Sequence, residues 1–161
     1  MDSTLAVRPA AAADRERVVR LLGDSWGGTT VVVHGRAYDA AELPALVAER
    51  AGALAGLLTY EITDAGLEIV TLDAVHRRGG VGGALLDAAV AVARGVGASR
   101  VWLVTTNDNL DALRFYQRRG LRIVAVAPGA VDAARVRKPS IPLVGEYGIP
   151  LHDELTLELP I

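Results

Sequence analysis

The segment from Leu72 to Leu86 joins an extended stretch to an apolar helix through a turn that contains four glycines and two arginines. In the first turn of a helix the backbone N–H groups have no partner within the helix, and the peptide dipoles add positive charge there. Glycines let a bulky anion approach these amides, and arginines attract it. We therefore predict that the turn holds a diphosphate group. The residues of this cradle are Arg77, Arg78, Gly79, Gly80, Val81, Gly82 and Gly83.

Two common phosphate-binding loops do not match this turn. The loop of nucleotide hydrolases requires a Gly-Lys pair followed by Ser or Thr, whereas Lys138 is the only lysine of the chain. The dinucleotide fingerprint requires a third glycine where Leu85 stands, and an acidic residue about twenty positions further on. The ligand is therefore expected to be a phosphate carrier of another kind.

Two motifs resemble the paired signatures of one enzyme family. The first is Arg-x-x-Gly-x-Gly at residues 77–82, and the second is Asn-x-x-Ala-x-x-Phe-Tyr-x-x-x-Gly at residues 109–120. Both resemble the GNAT superfamily of N-acetyltransferases, over residues 53–127 closely and over the whole chain more loosely. The tail from Lys138 onward resembles a bacterial subgroup with no assigned substrate. The resemblance implies a GNAT-like fold with acetyl-CoA as the cosubstrate.

Length, charge and residue usage limit the classes of function. A chain of 161 residues is expected to form one N-acetyltransferase domain over residues 1–161. The net charge of −2 gives no basic face for nucleic acid, and no apolar run reaches the ~18 residues of a membrane span, so neither partner is expected. No signal peptide is visible, which predicts a cytoplasmic protein. The chain lacks cysteine and its three histidines lack metal-ligand spacing, so no metal is expected.

Hydrophobic periodicity predicts strands and helices in one chain, which is an α/β pattern. The resemblance implies a mixed, mostly antiparallel sheet with helices on both faces. The strands are expected at 5–8, 29–34, 46–49, 53–60, 67–73, 100–106, 121–127 and 151–159. The helices are expected at 11–22, ending near Gly23, at 80–95 and at 109–118, with a helical turn at 39–42.

The strand, helix and strand at 67–73, 80–95 and 100–106 imply a right-handed parallel crossover. The cofactor is expected off the carboxyl ends of these two strands. Residues 128–149 are expected to form a long connection. Its basic residues Arg135, Arg137 and Lys138 are interpreted as solvated, with a clamp on an acidic acceptor or on the 3′-phosphate of the cofactor as the alternative.

The residues also bear on how an acetyl group would be transferred. The chain has no cysteine and no Gly-x-Ser-x-Gly elbow to hold the acetyl group covalently. Direct attack by a primary amine in a ternary complex is therefore predicted, which makes the chain an acyltransferase that transfers groups other than aminoacyl groups. Two alternatives stay open: a non-catalytic acyl-CoA-binding or sensor module, and a transferase with another acyl donor or a hydroxyl acceptor.

Direct transfer requires a base and an acid. A lysine-like amine has a pKa near 10.4 and must lose its proton before it attacks. Glu68 is the first candidate base, because alternation places it on the same strand face as Val70 and Leu72; a solvated surface charge is the alternative. Tyr116 is expected to protonate the departing thiolate, or else to be a packing residue. The resemblance implies both catalytic roles.

Backbone and side-chain contacts to the cofactor are predicted beside the cradle. The N–H groups of Leu72, Asp73 and Ala74 are expected to bind the oxyanion or the pantetheine arm, because a strand that splays from its neighbour leaves amides unpaired. Alternation places the Asp73 side chain opposite Glu68, where it would fix the turn. Asn109 either bonds the pantetheine amides or caps its helix.

The acceptor site is less constrained. Glu146, Glu154 and Asp153 are rival bases or amine-binding carboxylates. The resemblance implies that the acceptor lies among irregular segments that here contain Trp26, His34, Tyr38 and Tyr147. A core or surface role is the alternative for each of these residues. The acceptor is expected to be a small-molecule amine or a peptide amine, and a homodimer through the final strand or the long connection is a further possibility.

Overall fold

The computed structural model describes residues 4–76 and 79–161. The strands are β1 (Leu5–Pro9), β2 (Thr30–Val33), β3 (Arg36–Asp39), β4 (Ala45–Arg50), β5 (Ala53–Thr63), β6 (Gly66–Ala74), β7 (Arg100–Thr106), β8 (Arg122–Ala127) and β9 (Glu154–Pro160). The helices are α1 (Arg15–Trp26), α2 (Val81–Gly95), α3 (Leu110–Arg118) and α4 (Ala130–Arg137). Short 3₁₀ turns lie at Ala12–Asp14, Ala40–Glu42 and Glu146–Gly148.

Seven strands form one sheet in the order β1-β4-β5-β6-β7-β9-β8, and β2 and β3 form a separate hairpin. Every neighbouring pair is antiparallel except β6 and β7, which are parallel. One face of the sheet packs against α2 and α3, and the other against α1 and the hairpin. The predicted mixed sheet, its parallel crossover and the helices on both faces are confirmed.

Helix α2 is buried because apolar side chains cover most of its circumference. Leu85, Ala89 and Ala93 have no exposed surface and pack on the central strands. A close approach fixes the start of this helix: a methyl group at Gly56 of β5 would lie 2.5 Å from Val81 Cγ1 and 2.8 Å from the Asp73 carbonyl oxygen. Gly56 therefore lets the first residue of α2 rest against the ends of β5 and β6.

A β-bulge at Val70 changes the side-chain alternation of β6. Thr59 of β5 pairs with Thr71 while the next residue pairs with Ile69, which leaves Val70 as the extra residue. After the bulge Leu72 packs on the α2 side, and Asp73 faces α1. The expectations that Leu72 shares a face with Glu68 and that Asp73 lies on the opposite face are wrong, because period-2 alternation does not continue through a bulge.

Several predicted boundaries and elements also differ. Helix α1 passes Gly23 and ends at Trp26, where Gly27 adopts the left-handed conformation (φ +73°) that closes many helices. The connection at 128–149 contains helix α4. This helix has only eight residues, which is too short to show a clear hydrophobic period in the sequence. Strand β3 was not predicted. In the described part of the chain, no helix has both the length and the apolar character needed to cross a membrane.

We expect Gly56→Ala to lower the free energy of unfolding by about 2 kcal/mol, because the added methyl group overpacks the contact between β5 and the start of α2. Gly23→Ala is the matched control: its methyl group meets no atom within 4 Å, and alanine raises the stability of a helix by up to about 1 kcal/mol. Urea unfolding of the two variants measures the difference. Equal stabilities would show that the close approach at Gly56 is not a constraint.

Candidate active site

The strands β6 and β7 separate toward their carboxyl ends. They pair only where Leu67–Ile69 faces Val101–Leu103, although β6 continues to Ala74 and β7 to Thr106. On its other edge β6 stays paired with β5 as far as Ala74. Within residues 4–76 and 79–161, the edge of β6 that faces β7 therefore has no strand partner beyond Ile69. This geometry supports the expected roles of the amides of residues 72–74, which stay predictions.

Helix α2 begins at this opening. Gly80 is its N-cap and has a positive φ of 75°, which glycine adopts without strain. The first bond within the helix runs from the Ala84 amide to the Gly80 carbonyl oxygen (3.1 Å), so the amides of residues 81–83 precede it. Amides in that position suit an anion. Arg77 and Arg78, predicted to add two guanidinium groups, lie outside the described residues.

Helix α3 packs across the first turn of α2 and accounts for two of the glycines. A methyl group at Gly82 would lie 3.2 Å from the Phe115 ring, and one at Gly83 would overlap the Arg119 guanidinium. These two glycines make room for α3, whereas the sequence interpretation gave them the task of admitting an anion. Only Gly80 of the cradle glycines has a positive φ.

Two arginines that the sequence interpretation did not single out bring positive charge to this turn. Arg119 lies beside Gly83, with its guanidinium 4.8 Å from the Phe115 ring centroid. Arg50, at the end of β4, donates from Nη2 to the Gly79 carbonyl oxygen (3.1 Å). The contact between Arg119 and Phe115 is indicated by the sequence, because residues four positions apart lie on the same face of a helix. No local sequence pattern indicates the contact between Arg50 and Gly79, because that contact depends on the sheet topology.

Tyr116 of α3 is 7 % exposed and packs in the core around α2. Its hydroxyl makes no hydrogen bond with the described residues. Burial, and then the charge of Asp73, raise the pKa of Tyr116 above that of a free phenol. The side chain therefore fills the core and also keeps its proton at neutral pH. Its assignment as the acid stays a prediction.

Asn109 caps α3. Its Oδ1 accepts from the Ala112 amide (3.4 Å), and its Nδ2 donates to Thr105 Oγ1 (3.2 Å). This agrees with the capping alternative, and a contact with pantetheine stays a prediction.

Glu68 lies in a closed hydrogen-bond network on the α1 face of the sheet. It is 3 % exposed, and each of its oxygens has a partner: Oε1 accepts from the Tyr38 hydroxyl (2.6 Å), and Oε2 lies 2.7 Å from His34 Nε2. Burial, and then the bond to Glu68, raise the pKa of Tyr38, so its phenol remains a donor. The alternative of a solvated surface charge at Glu68 is wrong, because the hairpin covers it.

His34 forms the tip of the β2–β3 hairpin and contacts a second buried carboxylate. Its backbone has a positive φ of 41°, and its amide donates to Glu154 Oε1 (3.1 Å). Its ring lies 5.4 Å from the ring of Trp102, which faces Glu68 on β7. Glu154 is 4 % exposed. The hairpin tip thus contacts both Glu68 of β6 and Glu154 of β9, which the sequence analysis considered as rival bases, with amine binding as the other possibility for Glu154.

Trp26 closes the carboxyl end of β6. Its indole Nε1 donates to Asp73 Oδ2 (2.8 Å). Burial raises the pKa of Asp73, and the bond from Trp26 opposes that shift. Asp73 therefore holds the end of α1 against the splayed strands, a different role from the turn contact that was expected.

Two cavities lie on this face and meet at shared residues. The first has a volume of about 450 Å³ and includes Trp26, Thr106 and Glu154 in its lining. The second, of about 470 Å³, includes His34 and Glu154. Trp26, His34, Tyr38, Glu68 and Glu154 are thus brought to one region.

Glu146 is not part of this group. It is exposed on the turn at Glu146–Gly148 and lines neither cavity. Its backbone amide donates to the buried Asp108 carboxylate (2.9 Å), which is also bonded by the Thr106 hydroxyl. Within residues 4–76 and 79–161, no three His, Asp or Glu side chains form a cluster suited to a metal ion.

Solved structures share this architecture. The IAA acetyltransferase from Bacillus cereus ATCC 14579 superposes with a TM-score of 0.74 at 23 % identity, covering 98 % of this chain and 100 % of that one. A Bacillus subtilis acetyltransferase in complex with CoA has a TM-score of 0.71 at 19 % identity, covering 98 % and 99 % of the two chains. These similarities show the fold.

Sequence comparison shows the family. The uncharacterized protein YxbD of Bacillus subtilis (strain 168) is 35 % identical over 150 residues, which cover 92 % of this chain and 94 % of that protein. The sequence model of the Acetyltransferase (GNAT) family matches residues 16–121. The chain therefore belongs to the GNAT acetyltransferase family.

Proposed function

We propose that the protein is an N-acetyltransferase that moves the acetyl group of acetyl-CoA directly to a primary amine in a ternary complex. The observation that carries the proposal is the separation of β6 from β7 at the start of α2. A cleft between two strands offers backbone groups to an extended amide chain such as pantetheine, and the helix start offers amides to its diphosphate.

Charge and family membership support acetyl-CoA as the cosubstrate. Arg50 and Arg119 lie beside the start of α2. Their positive charges and the positive end of the helix dipole repel each other, and a bound anion would offset this repulsion. The Bacillus subtilis structure of the same fold contains CoA. The predicted cradle at residues 77–83 would hold the diphosphate in this arrangement.

The chemistry requires one bond exchange and a balance of protons. The amine nitrogen attacks the thioester carbonyl carbon, the C–N bond forms, and the C–S bond breaks to release the CoA thiolate. An ammonium acceptor loses one proton before attack and a second as the amide forms, while the thiolate gains one. Tyr116 donates the proton to sulfur and is reprotonated from the second amine proton. The absence of cysteine supports direct transfer without a thioester intermediate on the protein.

Glu68 is proposed as the base that accepts the first proton, but its burial means that it does not meet the amine directly. His34 is bonded to Glu68 and lines the cavity next to Glu154. The imidazole can pass a proton from the amine to the carboxylate, because it carries a donor and an acceptor nitrogen. In this arrangement Glu68 also fixes the ring orientation, and the Tyr38 hydroxyl holds the other carboxylate oxygen.

We expect Tyr116→Phe to reduce kcat by about 100-fold through loss of the general acid. The CoA Kd measured by calorimetry should stay within about threefold, since the hydroxyl has no partner in the described protein and the ring remains. Tyr60→Phe, on a tyrosine that packs against the same core from β5, is the matched control. A full kcat in Tyr116→Phe would remove Tyr116 from the mechanism.

His34 and Glu68 are expected to behave as one unit in a double-mutant cycle. Glu68→Gln and His34→Asn should each lower kcat/KM by about 100-fold, and the double variant should lose little more. Asparagine is chosen because it tolerates the positive φ at position 34. Additive losses, about 10,000-fold in the double variant, would mean that the two side chains act independently.

Two assays separate this proposal from its alternatives. Thiol release is followed with acetyl-CoA and a panel of amines and alcohols, and the products are identified by mass spectrometry. Tight CoA binding without turnover of any acceptor would indicate a binding or sensor module. Faster turnover with longer acyl-CoA donors, or acetylated alcohols as products, would indicate a different transferase.

A further inference from the structure

The first cavity lies at the carboxyl ends of both splayed strands. Thr106 is the last residue of β7, and Trp26 is bonded to Asp73 at the end of β6; both line this cavity of about 450 Å³. Other walls come from β2, α4, the segment after α4 and the start of β9. An acceptor in this cavity would therefore lie next to the cleft proposed for the thioester.

Lys138 ties one wall of this cavity to the other. Its ammonium donates to the Trp26 carbonyl oxygen (2.9 Å) and to the Thr30 carbonyl oxygen (2.7 Å). The adjacent Arg137 donates to the Gly35 carbonyl oxygen (2.7 Å). Both contacts join the end of α4 to the segments on either side of β2. The interpretation of these residues as part of a loop is wrong, because Arg137 ends α4 and Lys138 caps it. Arg137 is exposed, as expected, whereas Lys138 is half-buried and bonded at its ammonium.

Helix α4 and β2 pack closely, with Cα atoms of the two elements within 8 Å of each other. An extended peptide chain needs about 4.8 Å to each neighbouring strand, so a strand laid between two walls separates them by roughly 10 Å. The Lys138 side chain, which starts from the wall formed by α4, crosses the gap and bonds to Trp26 and Thr30 on the other wall. A peptide acceptor would have to break these bonds, whereas a compact molecule can occupy the cavity beside them.

Glu154 gives the cavity its polar anchor. The side chain is 4 % exposed, and only Oε1 has a bond, from the His34 amide (3.1 Å); Oε2 has no hydrogen-bond partner within residues 4–76 and 79–161. Among the described residues, Trp102 Nε1 is the one buried side-chain nitrogen or oxygen without a partner, so Glu154 Oε2 is reached from the cavity that Glu154 lines. A cationic ligand in the cavity can form a charge-assisted hydrogen bond with it. Much of the surrounding lining is aliphatic, including Val31, Val131 and Leu151.

The volume of the cavity indicates how large a molecule it can surround. At ~30 Å³ for each water in the liquid, about 450 Å³ corresponds to about 15 water-sized volumes. The cavity is therefore at the small end of the range for small-molecule sites. A ligand of about 10 to 15 non-hydrogen atoms, with one cationic end, fits both the volume and the single free carboxylate oxygen.

We propose that the acceptor is a compact primary amine with an apolar body, held through its ammonium group by Glu154, and that the Lys138 bridge excludes peptide and protein acceptors. This inference rests on the proposed N-acetyltransferase function. Glu154 lines both cavities, and His34 lines the second one. An ammonium group bound at Glu154 would therefore lie near His34, which is proposed to pass the ammonium proton to Glu68.

Acceptor selectivity tests the role of Lys138. The wild-type protein with acetyl-CoA is compared on 2-phenylethylamine and on a hexapeptide with a free amino terminus and a lysine side chain. We expect kcat/KM for the compact amine to exceed that for the peptide by about 100-fold or more. In Lys138→Ala the preference should fall about tenfold or more, because the bridge is lost. Arg20→Ala, on an exposed guanidinium of α1, is the control and should keep the wild-type preference.

Binding of the amine tests Glu154 separately. In Glu154→Gln we expect the affinity of the CoA-loaded protein for 2-phenylethylamine, measured by calorimetry, to fall about tenfold or more, with the Kd for CoA unchanged. Equal amine affinity in the variant would overturn the role of Glu154. Peptide turnover equal to amine turnover would overturn the size limit while leaving the N-acetyltransferase function intact. Acetylation of no amine at all would overturn the proposed function, and the inference with it.

Stability against pH shows whether Glu154→Gln stays folded. Burial raises the pKa of Glu154, with the amide and the charge of His34 opposing the shift, so the folded state holds a proton that the unfolded state releases first. Wild-type stability should therefore decline, through this group, as pH rises above the unfolded value near 4.3. We expect Glu154→Gln to be the more stable form at pH 7 in urea unfolding, and the difference to vanish near pH 4. Other titrating groups are common to both proteins and cancel in that difference.

Discussion

Three residue pairs hold β6 to β7, and the short length of this parallel ladder determines where the candidate site lies. The bulge at Val70 comes directly after the last pair, so β6 turns away from β7 while it stays bonded to β5. The same bulge turns Asp73 toward Trp26, which fastens the end of α1 over the opening. Gly56 then sets the start of α2 beside that end of the strand. The separation of the strands and the closure of their ends by Trp26 thus follow from one local irregularity in the sheet, and Gly56 adds the position of the helix start.

The sheet face opposite α2 contains two buried glutamates that differ in how many of their carboxylate oxygens are hydrogen-bonded within the protein. Glu68 has a donor on each oxygen and is held rigidly, which suits a group that fixes the orientation of an imidazole. Glu154 has one donor from the protein. A carboxylate with both oxygens bonded within the protein suits a structural or relay role, whereas one with an oxygen open to a cavity suits the proposed role of binding a cationic ligand. The hairpin tip at His34 contacts both and couples them.

The fold was largely predictable from the sequence, whereas the site was predictable only in part. Long periodic segments such as 80–95 and the motif at residues 109–120 indicated α2, α3 and the crossover between them. The faces of Leu72 and Asp73 were not predictable, because a bulge leaves no mark in the hydrophobic pattern. Contacts made across the fold, such as Arg50 with Gly79, depend on tertiary topology. Helix α4 was missed because eight residues rich in alanine and arginine give no clear amphipathic period.

The single lysine of the chain has a practical consequence. Apart from the terminal amine, an amine-reactive ester finds one side chain in this protein, and that side chain is bonded to the Trp26 and Thr30 carbonyl oxygens. Burial lowers the pKa of Lys138 in the closed form, but both carbonyl bonds hold the ammonium there, so labelling requires that the bonds open first. The rate at which a fluorescent ester labels Lys138 therefore measures how often α4 separates from the residues around Trp26 and Thr30. This measurement needs no substrate.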